Sequence, residues 1–123
     1  MAHVITIRED FVHVQFLGKV DALDIFPMLK DPKYLPNVSK LSKVICDFVS
    51  ASDVFFSEDD AKSFAVLGNV ESNFINSLHT VIVMKDIKKN NHRALSYINS
   101  LSSKAWKTDL AECLEHAEEM LRC

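Results

Sequence analysis

Val44-Ile45-Cys46-Asp47-Phe48-Val49, then Ser50-Ala51-Ser52-Asp53, then Ser57-Glu58-Asp59-Asp60, is the stretch on which the fold turns. Its first six residues are apolar apart from Asp47 and do not alternate. A strand of that kind is buried on both faces, as in a parallel sheet covered by helices. The polar exit and the serine opening an amphipathic run predict strand, loop and capped helix in succession. In open α/β sheets that junction is where ligands and partners gather.

Outward from this stretch, Thr80–Met84 is a second continuous apolar run. Between the two, Ala61, Phe64, Ala65, Gly68, Ile75 and Leu78 recur at helical spacing, with a break or bend expected at Gly68-Asn69. Upstream, His3–Ile7 is rich in β-branched residues, and in Phe11–Leu17 Val12, Val14 and Phe16 alternate with His13 and Gln15. The short connection Arg8–Asp10 predicts an antiparallel hairpin with His3 and His13 as cross-strand neighbours. A helix follows to Lys30, capped by Asp21 or Asp24. Pro27 favours Asp24, because in a first turn its missing N–H has no partner to lose. Residues 31–43 read as a polar loop marked by prolines.

Downstream, Ala94, Leu95, Ile98 and Leu101 mark another helix, and Lys104–Lys107 a short edge strand around Trp106. In the last helix Leu110, Cys113, Leu114, Ala117, Met120 and Leu121 form one stripe, opposite Glu112, Glu115, Glu118 and Glu119. Thr108 or Asp109 is its expected cap, the Asp109 and Glu112 pair resembling a capping box. The order is β-β-α-β-α-β-α-β-α. It defines one α/β domain over residues 1–123, a mostly parallel five-stranded sheet with an antiparallel first strand, flanked by helices.

Composition narrows the function. The 123 residues are 48% hydrophobic and 25% charged, ordinary for one packed domain. A net charge of −3 argues against a nucleic-acid partner, which needs a basic surface. No apolar run approaches the ~18 residues of a membrane span, and the start lacks the form of a signal peptide, so a cytoplasmic protein without a membrane association is expected. Cys46 and Cys113 read as small buried hydrophobes and Cys123 as an exposed terminal thiol; none lies at metal-like or redox-like spacing. With glycine only at 18 and 68, no phosphate-cradling loop can form. The five histidines are scattered, and no serine or cysteine has an identifiable base, so neither a metal, a cofactor nor hydrolase chemistry is expected.

Candidate site residues cluster after the two apolar strands. Asp47 interrupts the first of them; a buried carboxylate there is a site candidate or simply reaches loop amides. Ser50, Ser52 and Asp53 lie at the carboxyl edge, where a pocket should form. Ser57 with Asp60 is first a helix cap, the acidic side chains complementing the positive helix end. Lys85, Lys88, Lys89 and His92 belong to the best basic patch in the chain, Lys85–Arg93, suited to an anionic group or an acidic partner, or merely solvated. If the two apolar strands are parallel neighbours, this patch stands beside the Ser50–Asp53 loop. A pocket near Phe48, Phe55, Phe56 and Phe64 for a small anionic or apolar ligand is the alternative. An enzyme would require Asp47 or Asp53 to face Lys85 or His92. The uncovered hairpin edge makes a homodimer conceivable.

Asp31-Pro-Lys-Tyr34, the Val44–Phe48 strand with Phe56-Ser-Glu-Asp-Asp60, and the closing Trp106-Lys-Thr-Asp-Leu-Ala-Glu-Cys-Leu114 together resemble the STAS domain, in particular the SpoIIAA-like proteins. The likeness covers nearly the whole chain and rests on element order and pattern. It implies a non-catalytic regulatory module that binds a protein partner. It also implies a phosphorylated serine at about the place of Ser57. The antagonists of that family carry an Asp-Ser-Ser-Gly-like sequence there, whereas this chain has Phe55-Phe56-Ser57-Glu58-Asp59. A phosphate on Ser57 would meet Glu58, Asp59 and Asp60 as like charges.

Overall fold

A computed structural model of the chain describes residues 3–73, 75–101 and 105–122. β1 (His3–Ile7) and β2 (Val12–Phe16) form the antiparallel hairpin, with Ile7 opposite Val12 and Thr6 opposite His13. His3 stands opposite Phe16, so the two histidines are not neighbours: the turn closed by Arg8 N–H on Phe11 C=O sets another register. β4 (Lys43–Asp47), β6 (Leu78–Val83) and β7 (Trp106–Ala111) add in parallel, in the order β1-β2-β4-β6-β7. The expected five-stranded sheet is therefore present, parallel except for its first strand.

Two segments not expected as strands form a small second sheet. β3 (Gly18–Val20) pairs in parallel with β5 (Ala51–Val54), with a register shift between Gly18 and Lys19. Gly18 has φ +65, a left-handed conformation that costs glycine nothing and turns the chain out of β2. β5 is why residues 51–53 are held rather than loose.

The helices correct several boundaries. α1 (Ala22–Leu29) is capped by Asp21, not Asp24. The two act as a reciprocal pair: Asp21 accepts from Asp24 N–H, and Asp24 accepts from Asp21 N–H. Pro27 therefore lies inside the helix. The bond it withdraws falls on the C=O of Leu23, a residue on the wet side, where water can replace it. Residues 31–43 contain α2 (Leu35–Leu41), with Pro36 in its first turn, where proline starts a helix, and Ser42 ending it at φ 58. α3 (Glu58–Glu71) stops before the expected Ile75 and Leu78, and Leu78 opens β6 instead.

Gly68 breaks nothing. It sits inside α3, and a Cβ there would lie 3.2 Å from Leu101 and 3.3 Å from Trp106. The glycine is a point of close approach. After β6 come a single turn, α4 (Ile87–Asn90), and α5 (His92–Ser100), in place of one continuous helix. The strand around Trp106 runs on to Ala111, so Leu110 is a strand residue and α6 (Leu114–Arg122) begins later than expected. Thr108 and Asp109 cap nothing; Asp109 pairs with His79 at 2.7 Å inside the sheet. Cys113 is exposed rather than buried, because it precedes the helix. Lys104 and Cys123 lie outside the described residues.

The sheet separates two cores. On one face α6 lays Ala117 and Leu121 over Ile45, Val81, Val83 and Ala111. On the other, Val12, Val14, Phe16, Val44 and Leu78 meet Ile25 and Met28 of α1, Val38 of α2 and Phe64 of α3. No described helix is long and apolar enough to cross a membrane.

Candidate functional site

β4 and β6 run side by side in the same direction, Asp47 aligned with Val83, and Phe48 N–H donates to Val83 C=O at 2.8 Å. Their polar exits consequently meet at one rim. There Ser52 and Asp53 of β5 and Lys85 and Asp86 after β6 line the opening of a cavity of about 540 Å³. Asp86 holds a left-handed backbone (φ 50), which aspartate tolerates better than most residues, and its C=O accepts from the amides of Lys89 and Asn90.

Arg93 of α5 ties this rim together. Its Nε donates to Phe56 C=O at 2.6 Å and its Nη2 to Val54 C=O at 3.1 Å, with the guanidinium 5.6 Å from the Phe56 ring centroid. It pins the segment between β5 and α3 to α5. Ser96 adds a bond to Glu58 at 3.1 Å.

The sequence-predicted residues divide into three groups. Ser52, Asp53 and Lys85 are brought together at the cavity opening. Ser50, Ser57, Lys88, Lys89 and His92 are exposed nearby without lining it. Ser50 Oγ accepts from Gln15, and Ser57 makes both bonds of a capping box with Asp60. Asp47 belongs elsewhere. It shares the α6 face with Ile45, only 6% exposed, accepting from Val49 N–H at 2.9 Å and paired with His13 Nε2 at 3.0 Å. Among the described residues neither Asp47 nor Asp53 forms an ion pair with Lys85 or His92. No group of three His, Cys, Asp or Glu among them is arranged to hold a metal ion.

The cavity runs inward between the sheet and helices α1, α3 and α5. Phe48, Phe56 and Phe64 line it, and their rings also pack against one another: Phe56 on Phe64 edge-on at 5.3 Å, Phe48 stacked on Phe16 at 4.5 Å. Phe55, expected with them, instead points outward and is 57% exposed. Tyr34, Cys46, Glu71, Thr80 and Tyr97 line it as well, none of them expected at a site from sequence. Burial pushes the Cys46 thiol up to about 12, with Asp47 adding to it. Burial also holds both tyrosine hydroxyls well above their usual value, and Cys46 and Glu71 raise them further. Glu71 is raised by loss of solvent. Cys46 in an apolar strand gave the signal of a core residue. Tyr97 lies one helical turn beyond Arg93, and that spacing was the available clue.

No protein-family model matches the chain, and no curated protein matches it in sequence. Solved structures do match its fold. The anti-sigma factor antagonist SpoIIAA in its unphosphorylated form superposes with a TM-score of 0.58 at 11% identity, over 98% of each chain. An uncharacterised protein from Shewanella loihica PV-4 with a SpoIIAA-like fold gives 0.53 at 13% identity, over 98% of this chain and 92% of that one. The chain thus has the STAS/SpoIIAA-like fold.

Proposed function

We propose that the protein is a non-catalytic regulatory module that binds a protein partner through the rim at the ends of β4, β5 and β6. The observation that carries this reading is the rim itself: parallel pairing brings Ser52, Asp53, Lys85 and Asp86 together, and the exposed Phe55 follows Asp53 by two residues. An exposed aromatic ringed by charged and polar groups is the usual composition of an interface centre. Lys88 and Lys89 supply a positive edge suited to an acidic partner. Two features support the absence of chemistry. Asp47 faces the other layer in a closed pair with His13, and Arg93 is committed to backbone carbonyls. The fold shared with an antagonist of an anti-sigma factor agrees with a regulatory role.

The test is affinity capture from the native source with the wild-type chain and a Phe55→Ala, Lys88→Glu, Lys89→Glu variant of unchanged circular dichroism. A defined protein recovered at equimolar amount by the first and lost by the second is expected. Equal recovery by both, or recovery of nothing, rejects the rim as a contact surface.

A further inference from the structure

The interior of the cavity has a chemistry that the rim does not need. At about 540 Å³ it falls inside the roughly 300–1,000 Å³ span of small-molecule sites. Tyr34 and Thr80 line it, each only 7% exposed, and neither side chain makes a hydrogen bond to any described residue. The hydroxyl of Tyr97 and the thiol of Cys46 line it too and are likewise unpaired among the described residues. Three hydroxyls and a thiol that face one cavity, all unpaired among the described residues, mark a place where a bound molecule can accept from them.

Charge narrows the class. The cations lining the cavity are Lys85, exposed at the opening, and Arg93, whose nitrogens already donate to Phe56 and Val54 carbonyls. Deep inside, the ionisable groups are acids: Tyr34, Cys46, Glu71 and Tyr97. An anion would enter without a counter-charge and next to a carboxyl. An ammonium would find only Glu71 as an inner counter-charge, and loss of solvent pushes that carboxyl toward its neutral form. A carbonyl or ether oxygen accepts from two hydroxyls at once, and the phenylalanine rings suit an apolar body.

We propose that this cavity binds an uncharged, largely apolar molecule whose oxygen acceptor is held by the hydroxyls of Tyr34 and Tyr97. The site lies behind the rim and does not depend on a protein partner docking there.

The test uses two fluorescent probes on the whole chain. Prodan is a neutral naphthalene ketone, and 8-anilinonaphthalene-1-sulfonate is an anion of similar size. Trp106, the single tryptophan, lines the cavity and reports on both by quenching. Prodan should bind saturably, one molecule per chain, at least tenfold more tightly than the sulfonate. The Tyr34→Phe, Tyr97→Phe double variant should weaken prodan by roughly tenfold, about two modest hydrogen bonds. Ala61→Phe, which fills the cavity from α3, should abolish it. Absence of saturable prodan binding overturns the proposal. So does tighter binding of the sulfonate, or prodan affinity unchanged in the tyrosine double variant, whose fold is checked by its melting curve. Capture of the partner at the rim is measured separately, so either reading can fail alone.

Discussion

Cys46 and Cys113 show how position sets the chemistry of one residue type. Cys113 is exposed ahead of α6, while Cys46 sits in β4 with its thiol pushed up to about 12. At pH 8 the Cys46 thiol therefore keeps its proton, and the thiolate is the reactive form. A thiol reagent at that pH should label Cys113 within minutes and Cys46 only on unfolding, which mass spectrometry of digested protein can read. The same shift has a thermodynamic side. The native thiol keeps its proton while an unfolded one, at its ordinary 9.0, releases it. The contribution of Cys46 is therefore complete below pH 9 and is lost as pH rises toward 12. Denaturation midpoints measured between pH 8 and 11 should fall accordingly, and less so in Cys46→Val. Rapid labelling of native Cys46 would contradict its placement.

At the scale of elements, caps and strands were legible for different reasons. The Ser57 and Asp60 pair was readable because a capping box is local, and both of its bonds are formed. Ser57→Ala should cost about 0.5–2 kcal/mol, seen as a lower urea midpoint at unchanged slope, with Ser57→Asp restoring most of it. The apolar runs of β4 and β6 were legible because burial on both faces leaves no alternation to misread. β3 and β5 were not. Gly18–Val20 is three residues long, and its reason to be a strand is Ala51–Val54 more than thirty residues away. The late start of α6 escaped for a related cause. Leu110 fits a helical stripe with Leu114 and Leu121, but pairing with Ile82 in β6 overrides that periodicity. Of the candidate site, the rim was readable from strand exits. The cavity was readable in part: Phe48, Phe56 and Phe64 were expected around a pocket and line it, whereas Tyr34, Cys46, Glu71 and Tyr97 come from a turn and three separate elements and gave no joint signal.

Across the whole molecule the sheet insulates one side from the other. The cavity, the rim and helices α1, α2, α3 and α5 lie on one face; α6 covers the opposite one. Leu121→Ala opens a hole only in the α6 layer and should cost about 2–5 kcal/mol of stability. Prodan affinity should nonetheless be unchanged under native conditions, measured by the same Trp106 quenching. A change would mean that the two faces communicate through the strands.

The way α6 closes its layer also bears on how the chain is made. Ile45, Val81 and Val83 are synthesised well before Ala117 and Leu121, which alone among the described helices provide their cover. While α6 is still inside the ribosome, that greasy wall faces the crowded surroundings of a growing polypeptide. Each new copy therefore passes through an interval in which association with other nascent chains competes with completing itself.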